Sequence, residues 1–127
     1  MKPDLIVLAG YVKLIPTELT EQYPNKIINI HPALLPSFGG KGMFGMNVHN
    51  AVFNSSVKVS GATIHFVNER YDEGLIINQM AISILEAKSA EEIAEKVLEI
   101  EHRLLPETIE LFADNRINIE NRRVTIL

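Results

Sequence analysis

Cysteine is absent from the 127 residues. That excludes disulfides, zinc–thiolate centres, iron–sulfur clusters and thiol nucleophiles. No apolar run approaches the roughly 20 residues that a bilayer-crossing helix needs, and no signal-peptide pattern opens the chain. Positive charge is not in excess: 16 acidic against 12 basic residues leave a formal charge of −4, the wrong sign for a surface that neutralises nucleic-acid phosphates. Internal repeats, low-complexity stretches and linkers are also lacking. The expectation is a soluble cytoplasmic domain with no nucleic-acid partner and no membrane partner.

What is present suits one globular domain, with 46% hydrophobic and 22% charged residues. A chain of this length buries roughly two thirds of the surface that its unfolded form exposes. Asp4 to Ala9 is a continuous apolar run of strand length, the pattern of a strand buried on both faces. Pro16 to Gln22 reads as a short helix with proline near its first turn. Lys26 to Ile30 reads as a strand that Pro32 stops, and Asn47 to Phe53 as a helix of poor apolar spacing. Val59 to Val67 and Leu75 to Leu85 read as two further strands, with a polar turn from Asn68 to Gly74 between them. Ser89 with Glu92 forms a capping-box pattern. It opens a helix whose stripe is Ile93, Val97, Ile100 and Leu104. Pro106 lies inside that helix and is expected to kink it near Arg103; Asn115 is expected to end it. Arg116 to Leu127 reads as a hairpin about residues 120–123. This order implies an α/β fold, largely parallel at first with an antiparallel addition.

Two residues stand out at the end of the second strand. Asn29 and His31 are two apart, so their side chains share one face, and in open α/β sheets ligands bind beyond the carboxyl ends of strands. An amide and an imidazole would there project into one crevice. The plainer alternative is a turn-capping asparagine and a satisfied core histidine. Asp72, in the polar turn after the third strand, can reach His31 if the second and third strands end on the same edge. A carboxylate beside an imidazole favours the charged ring. Otherwise the segment is an ordinary acidic turn, and spacing alone leaves both readings open. The glycine-rich segment Gly39-Gly40-Lys41-Gly42-Met43-Phe44-Gly45 has no hydroxyl after Lys41. It therefore departs from the phosphate-binding loop pattern and reads as a surface loop. His31, His49, His65 and His102 lack tight metal-ligand spacing.

Asn29-Ile-His-Pro-Ala-Leu-Leu-Pro36 strongly resembles the folate-dependent formyltransferases, and within them the members that act on glycinamide ribonucleotide. The segments DLIVLAGYVKLI (residues 4–15), GATIHFV (61–67), Asp72-Glu-Gly74 with Ile76-Ile77-Asn78-Gln79, and Glu101-His102 agree in order with that family. The resemblance runs to about Ile119. It implies a partial, Rossmann-like formyltransferase fold, with a mostly parallel sheet, antiparallel additions and a long C-terminal helix. It implies transfer of a formyl group from 10-formyltetrahydrofolate, the co-substrate, to the amine of glycinamide ribonucleotide in de novo purine biosynthesis, without a metal. By position, Asn29, His31 and Asp72 would be the catalytic set. Val12, Lys13, Leu14, Ile15, Asn29, Asn68, Tyr71 and Asp72 would line the folate site, and Glu101 and Pro32 would meet the ribonucleotide. The family carries an upstream half with a glycine-rich phosphate loop. Residues 1–127 are therefore expected to be a single domain, the catalytic and folate-binding half, able to self-associate through an exposed sheet edge. The alternatives are a folate-binding fragment without turnover, or another formyl-folate enzyme such as a deformylase.

Overall fold

The computed structural model describes residues 4–9, 15–68 and 73–127. A four-stranded sheet runs β1 (Ile6–Ala9), β2 (Ile27–His31), β3 (Val59–Phe66) and β4 (Ile76–Ser83), in that spatial order. The parallel part is confined to β1 and β2; β2–β3 and β3–β4 are antiparallel. The second and third strands therefore do not end on the same edge, the condition set for a direct reach from Asp72 to His31: His31 at the end of β2 lies opposite Thr63, and Phe66 at the end of β3 lies opposite Ile28. Helix α1 (Thr17–Gln22) makes the crossover between the parallel pair, as parallel neighbours require. Helix α2 (Met46–Ser55) lies between β2 and β3, and helix α3 (Ala90–Ala113) follows β4. A separate hairpin, β5 (Ile117–Glu120) and β6 (Arg123–Ile126), ends the chain.

Every residue of β2 is buried, because this strand has neighbours on both edges and cover on both faces. Ile28 and Ile30 join Ala62, Ile64, Phe66 and Ile77 in a cluster that receives Ile100 and Leu104 of α3. Fully burying side chains of this size contributes about 1.5–3 kcal/mol each. Ala33, Val48 and Val52 meet Ile84, Ile93 and Val97 in a second cluster, which clamps α2 onto the first turns of α3. Strand β1 departs from expectation. Its burial alternates, with Val7 37% exposed, so it is not covered on both faces. It pairs only with β2 among the described residues, and an edge strand has half the neighbours of a central one.

Helix α3 begins as its sequence pattern implies. The Ser89 hydroxyl accepts from the Glu92 N–H at 3.2 Å, while the Glu92 carboxylate reaches back to the Lys88 N–H at 2.9 Å. The helix continues past Pro106 to Ala113, fastened on either side by the buried Leu104 and Thr108. It stops at Asn115, whose φ of 54° is left-handed. There the Asn115 and Arg116 N–H groups donate to the Phe112 and Leu111 carbonyls, the two bonds of a Schellman ending. Asn121 and Arg122, both at positive φ, form the two-residue turn of the hairpin.

Candidate active site

Strand β2 delivers Asn29 and His31 to the sheet face opposite α3, since Ile28 and Ile30 occupy the face that α3 covers. Both side chains are buried, Asn29 at 9% exposure and His31 at 3%. The antiparallel register then sets His65 opposite Asn29, and Thr63 opposite His31. The site is thus built on two paired strands, which hold side chains more rigidly than loops do.

Asn29 Nδ2 lies 3.3 Å from His65 Nε2, and His65 Nδ1 lies 3.0 Å from the Phe66 carbonyl oxygen. A carbonyl can only accept, so Nδ1 carries a hydrogen. With the amide as donor, Nε2 is the acceptor, and both bonds are satisfied by one neutral tautomer. His65 therefore aims the amide of Asn29. His65 stood out in the sequence only as part of the GATIHFV segment and as a histidine without metal-ligand spacing. Its pairing signal was available, because residues 29 and 65 occupy same-face positions of two strands, but the register that joins them was not. The Asn29 Oδ1 atom is buried and has no hydrogen-bond partner among the described residues. Buried acceptors are nearly always paired, and an orphan of this kind suits a ligand N–H.

His31 Nε2 lies 2.8 Å from the Phe38 carbonyl, so Nε2 carries a hydrogen and Nδ1 is the position that changes with protonation. The turn that brings Phe38 back is tied down from below. Thr63 Oγ1, fully buried, donates to the Ala33 carbonyl at 2.7 Å and accepts from the Leu35 N–H at 3.1 Å. Gln79 Nε2 adds bonds to Thr63 Oγ1 at 3.0 Å and to the Leu35 carbonyl at 2.9 Å. The Leu35–Pro36 peptide is cis.

A second histidine stands near this pair. His49, on α2, is buried, and its Nδ1 has no partner among the described residues. Burial pushes its protonation below the ordinary imidazole value, and the charge of His31 pushes it further the same way. This neighbour was not foreseen as part of the site, because the glycine-rich segment hides how close α2 returns to β2.

Of the residues expected to bind ligands, Ile15 is buried just before α1, Pro32 is half-buried in the bend after His31, and Asn68 is half-buried just beyond β3. Asp72, Val12, Lys13, Leu14 and Tyr71 lie outside the described residues. Glu101 is carried by α3, beside Ile100, which packs on the other sheet face. Its half-buried carboxyl is pushed up by desolvation, against the opposing pull of His102. The geometry thus joins Asn29 and His31 with His65, Thr63 and His49, and assigns Glu101 to a separate element.

A profile of the formyl transferase family matches residues 1–109. The chloroplastic phosphoribosylglycinamide formyltransferase of Arabidopsis thaliana is 51% identical over 114 residues, covering 90% of this chain and 39% of its own length. The phosphoribosylglycinamide formyltransferase of Haemophilus influenzae is 36% identical over 93% of this chain and 53% of its own length. The crystal structure of glycinamide ribonucleotide transformylase 1 from Symbiobacterium toebii superposes with a TM-score of 0.87 at 44% identity, covering 98% of this chain and 56% of that one. The chain thus spans between two fifths and somewhat over half of these relatives. With a buried Asn-Ile-His strand end, a matching α/β sheet and a family profile over most of its length, the chain belongs to the formyl transferase family.

Proposed function

We propose that this chain is the catalytic and folate-binding half of a phosphoribosylglycinamide formyltransferase, which moves a formyl group from 10-formyltetrahydrofolate to the amine of glycinamide ribonucleotide. The observation that carries the reading is the placement of Asn29 and His31 on one buried face, with the Asn29 amide aimed by His65. In this reading the amine nitrogen attacks the formyl carbon. The carbonyl π pair moves onto oxygen, and a tetrahedral oxyanion forms. The second hydrogen of Asn29 Nδ2 and a protonated His31 are donors that meet this charge, and one such donor is typically worth about 2.7–4 kcal/mol. The orphan Asn29 Oδ1 accepts an N–H of the attacking amine and so orients its lone pair. Collapse breaks the bond between carbon and the folate N10. That nitrogen gains a proton as the amine loses one, and Asp72 would relay it through water and keep His31 charged. Val12, Lys13, Leu14, Ile15, Asn68 and Tyr71 would hold the folate, with Lys13 pairing a glutamate carboxylate. Pro32 and Glu101 would face the ribonucleotide. No metal enters this chemistry.

The test is formyl transfer followed by the appearance of tetrahydrofolate and of formylated amine in equal amounts. Asn29→Ala and His31→Ala should each lower kcat strongly with little change in KM, the mark of an interaction made in the transition state. Unchanged turnover in both variants would refute the assignment. The formyltetrahydrofolate deformylase of Haemophilus influenzae is also similar, at 33% identity over 98% of this chain. Release of formate with no formylated amine would turn the reading to that reaction.

A further inference from the structure

A cavity of about 750 Å3 opens at the β4 edge, and neither Asn29 nor His31 is among its lining residues. One wall is the start of β4, from Glu73 to Gln79; a second is Leu35, Pro36, Gly39 and Gly40; the third is the hairpin turn, Arg122 to Val124. We propose that this cavity is a second ligand site, which takes a small organic dianion carrying phosphate or carboxylate groups, and that its occupancy steadies the loop that holds His31.

The charge on its walls is the first ground. Among the described residues, two arginines and one carboxylate, Glu73, line it, in a chain whose formal charge is −4. Among the described residues neither guanidinium is held in an ion pair, whereas Arg116 on the same hairpin spends its Nε–H on the Leu127 carbonyl. Paired guanidinium forks match carboxylate and phosphate oxygens. The second ground is the turn itself. Arg122 sits at φ 63°, the position of a two-residue hairpin turn where glycine is free of strain. A turn that only reversed the chain would be served better by Asn-Gly than by this Asn-Arg.

The walls also disfavour an extended peptide. A strand added to the β4 edge would use the N–H of Gln79, and the Asn78 side chain already accepts from it at 3.0 Å. What is left is a basic pocket with an apolar floor, suited to a compact anion. Its connection to His31 is short. The wall residues Leu35 to Gly40 contain Phe38, whose carbonyl accepts from His31. Gln79 on the opposite wall bonds both Leu35 and Thr63, the cross-strand partner of His31. A ligand that bridges the hairpin and this loop therefore restrains the acceptor of the His31 ring.

The experiment is calorimetric titration of the protein with glycerol phosphate and, separately, with glutarate, at low and at raised ionic strength. Saturable binding of either ligand, weakened by salt, is expected, and the tighter of the two identifies phosphate or carboxylate as the natural chemistry. Arg122→Gly combined with Arg123→Ala should weaken it by about tenfold or more. Because glycine suits the turn, Arg122→Gly alone should retain thermal stability yet still lose affinity. In the NMR spectrum the ring protons of His31 should shift on titration and stay unmoved in the double variant. No saturable binding, or equal affinity in the arginine variants, would overturn the site. Affinity lost in His31→Ala but kept in the arginine variants would locate the anion at the catalytic pair instead. Binding without any response at His31 would overturn the coupling.

Discussion

Thr63 offers the sharpest test of how the site is held. Its hydroxyl is fully buried and takes part in three hydrogen bonds, with Ala33, Leu35 and Gln79. Thr63→Val keeps the shape of the side chain and removes all three. The Gln79 amide retains its bond to the Leu35 carbonyl, so the groups left orphaned are the Ala33 carbonyl and the Leu35 N–H. Each buried orphan costs about 1–3 kcal/mol, so the substitution is expected to cost about 2–6 kcal/mol. That is a large share of the roughly 5–15 kcal/mol by which a domain of this kind is stable. Thr63→Ser makes the complementary change. It keeps the hydroxyl and loses one methyl, at about 1 kcal/mol. Urea unfolding of the three proteins should show midpoints in the order wild type, Thr63→Ser, Thr63→Val, with a common slope. Formyl transfer should fall in the same order, because the Ala33–Phe38 turn carries the carbonyl that orients His31. If Thr63→Val proved as stable as Thr63→Ser, the hydroxyl would not be what fastens the turn, and the argument from orphaned groups would fail.

His49→Leu should flatten the pH dependence of stability. The folded-state protonation of His49 lies below its ordinary value, from burial and then from the His31 charge. The unfolded chain therefore takes up the proton first, and stability falls as pH drops through about 6.5. The slope attributable to this one group is at most about 1.4 kcal/mol per pH unit, and denaturant midpoints from about pH 8 down to about pH 5 measure it. Glu101→Gln should raise stability at neutral pH, since desolvation has lifted that carboxyl. In the proposed enzyme it should also raise KM for the ribonucleotide, and a denaturant melt with steady-state kinetics separates the two effects. Gly74→Ala should be strongly destabilising, because a Cβ there would collide with the Phe66 carbonyl on β3; overpacking of this sort costs about 1–3 kcal/mol or more, and circular dichroism melting reads it directly. The exposed β1 edge, with Val7 partly uncovered, should let the 127-residue chain self-associate; Val7→Lys should reduce the sedimentation coefficient, and a monomer at all concentrations would count against the idea.

The local elements were legible because their causes are local. Ser89 and Glu92 mark the start of α3 by bonds three and four residues apart, and Asn115 marks its end by tolerating a left-handed backbone. Period two placed Asn29 and His31 on one face, and the Asn-Ile-His-Pro segment carried the family. What the chain alone left open was set by long-range packing. Only the β2–β3 register brings His65 to Asn29 and Thr63 to His31, and a slip of one residue would have turned those side chains to the other face. Only the fold of α2 onto α3 returns His49 toward His31. Strand β1 reads as doubly buried from its apolar run, yet burial depends on how many neighbours a strand has, and among the described residues it has one. Side-chain type and spacing determined which groups this chain can present; cross-strand register and helix docking decided which of them meet.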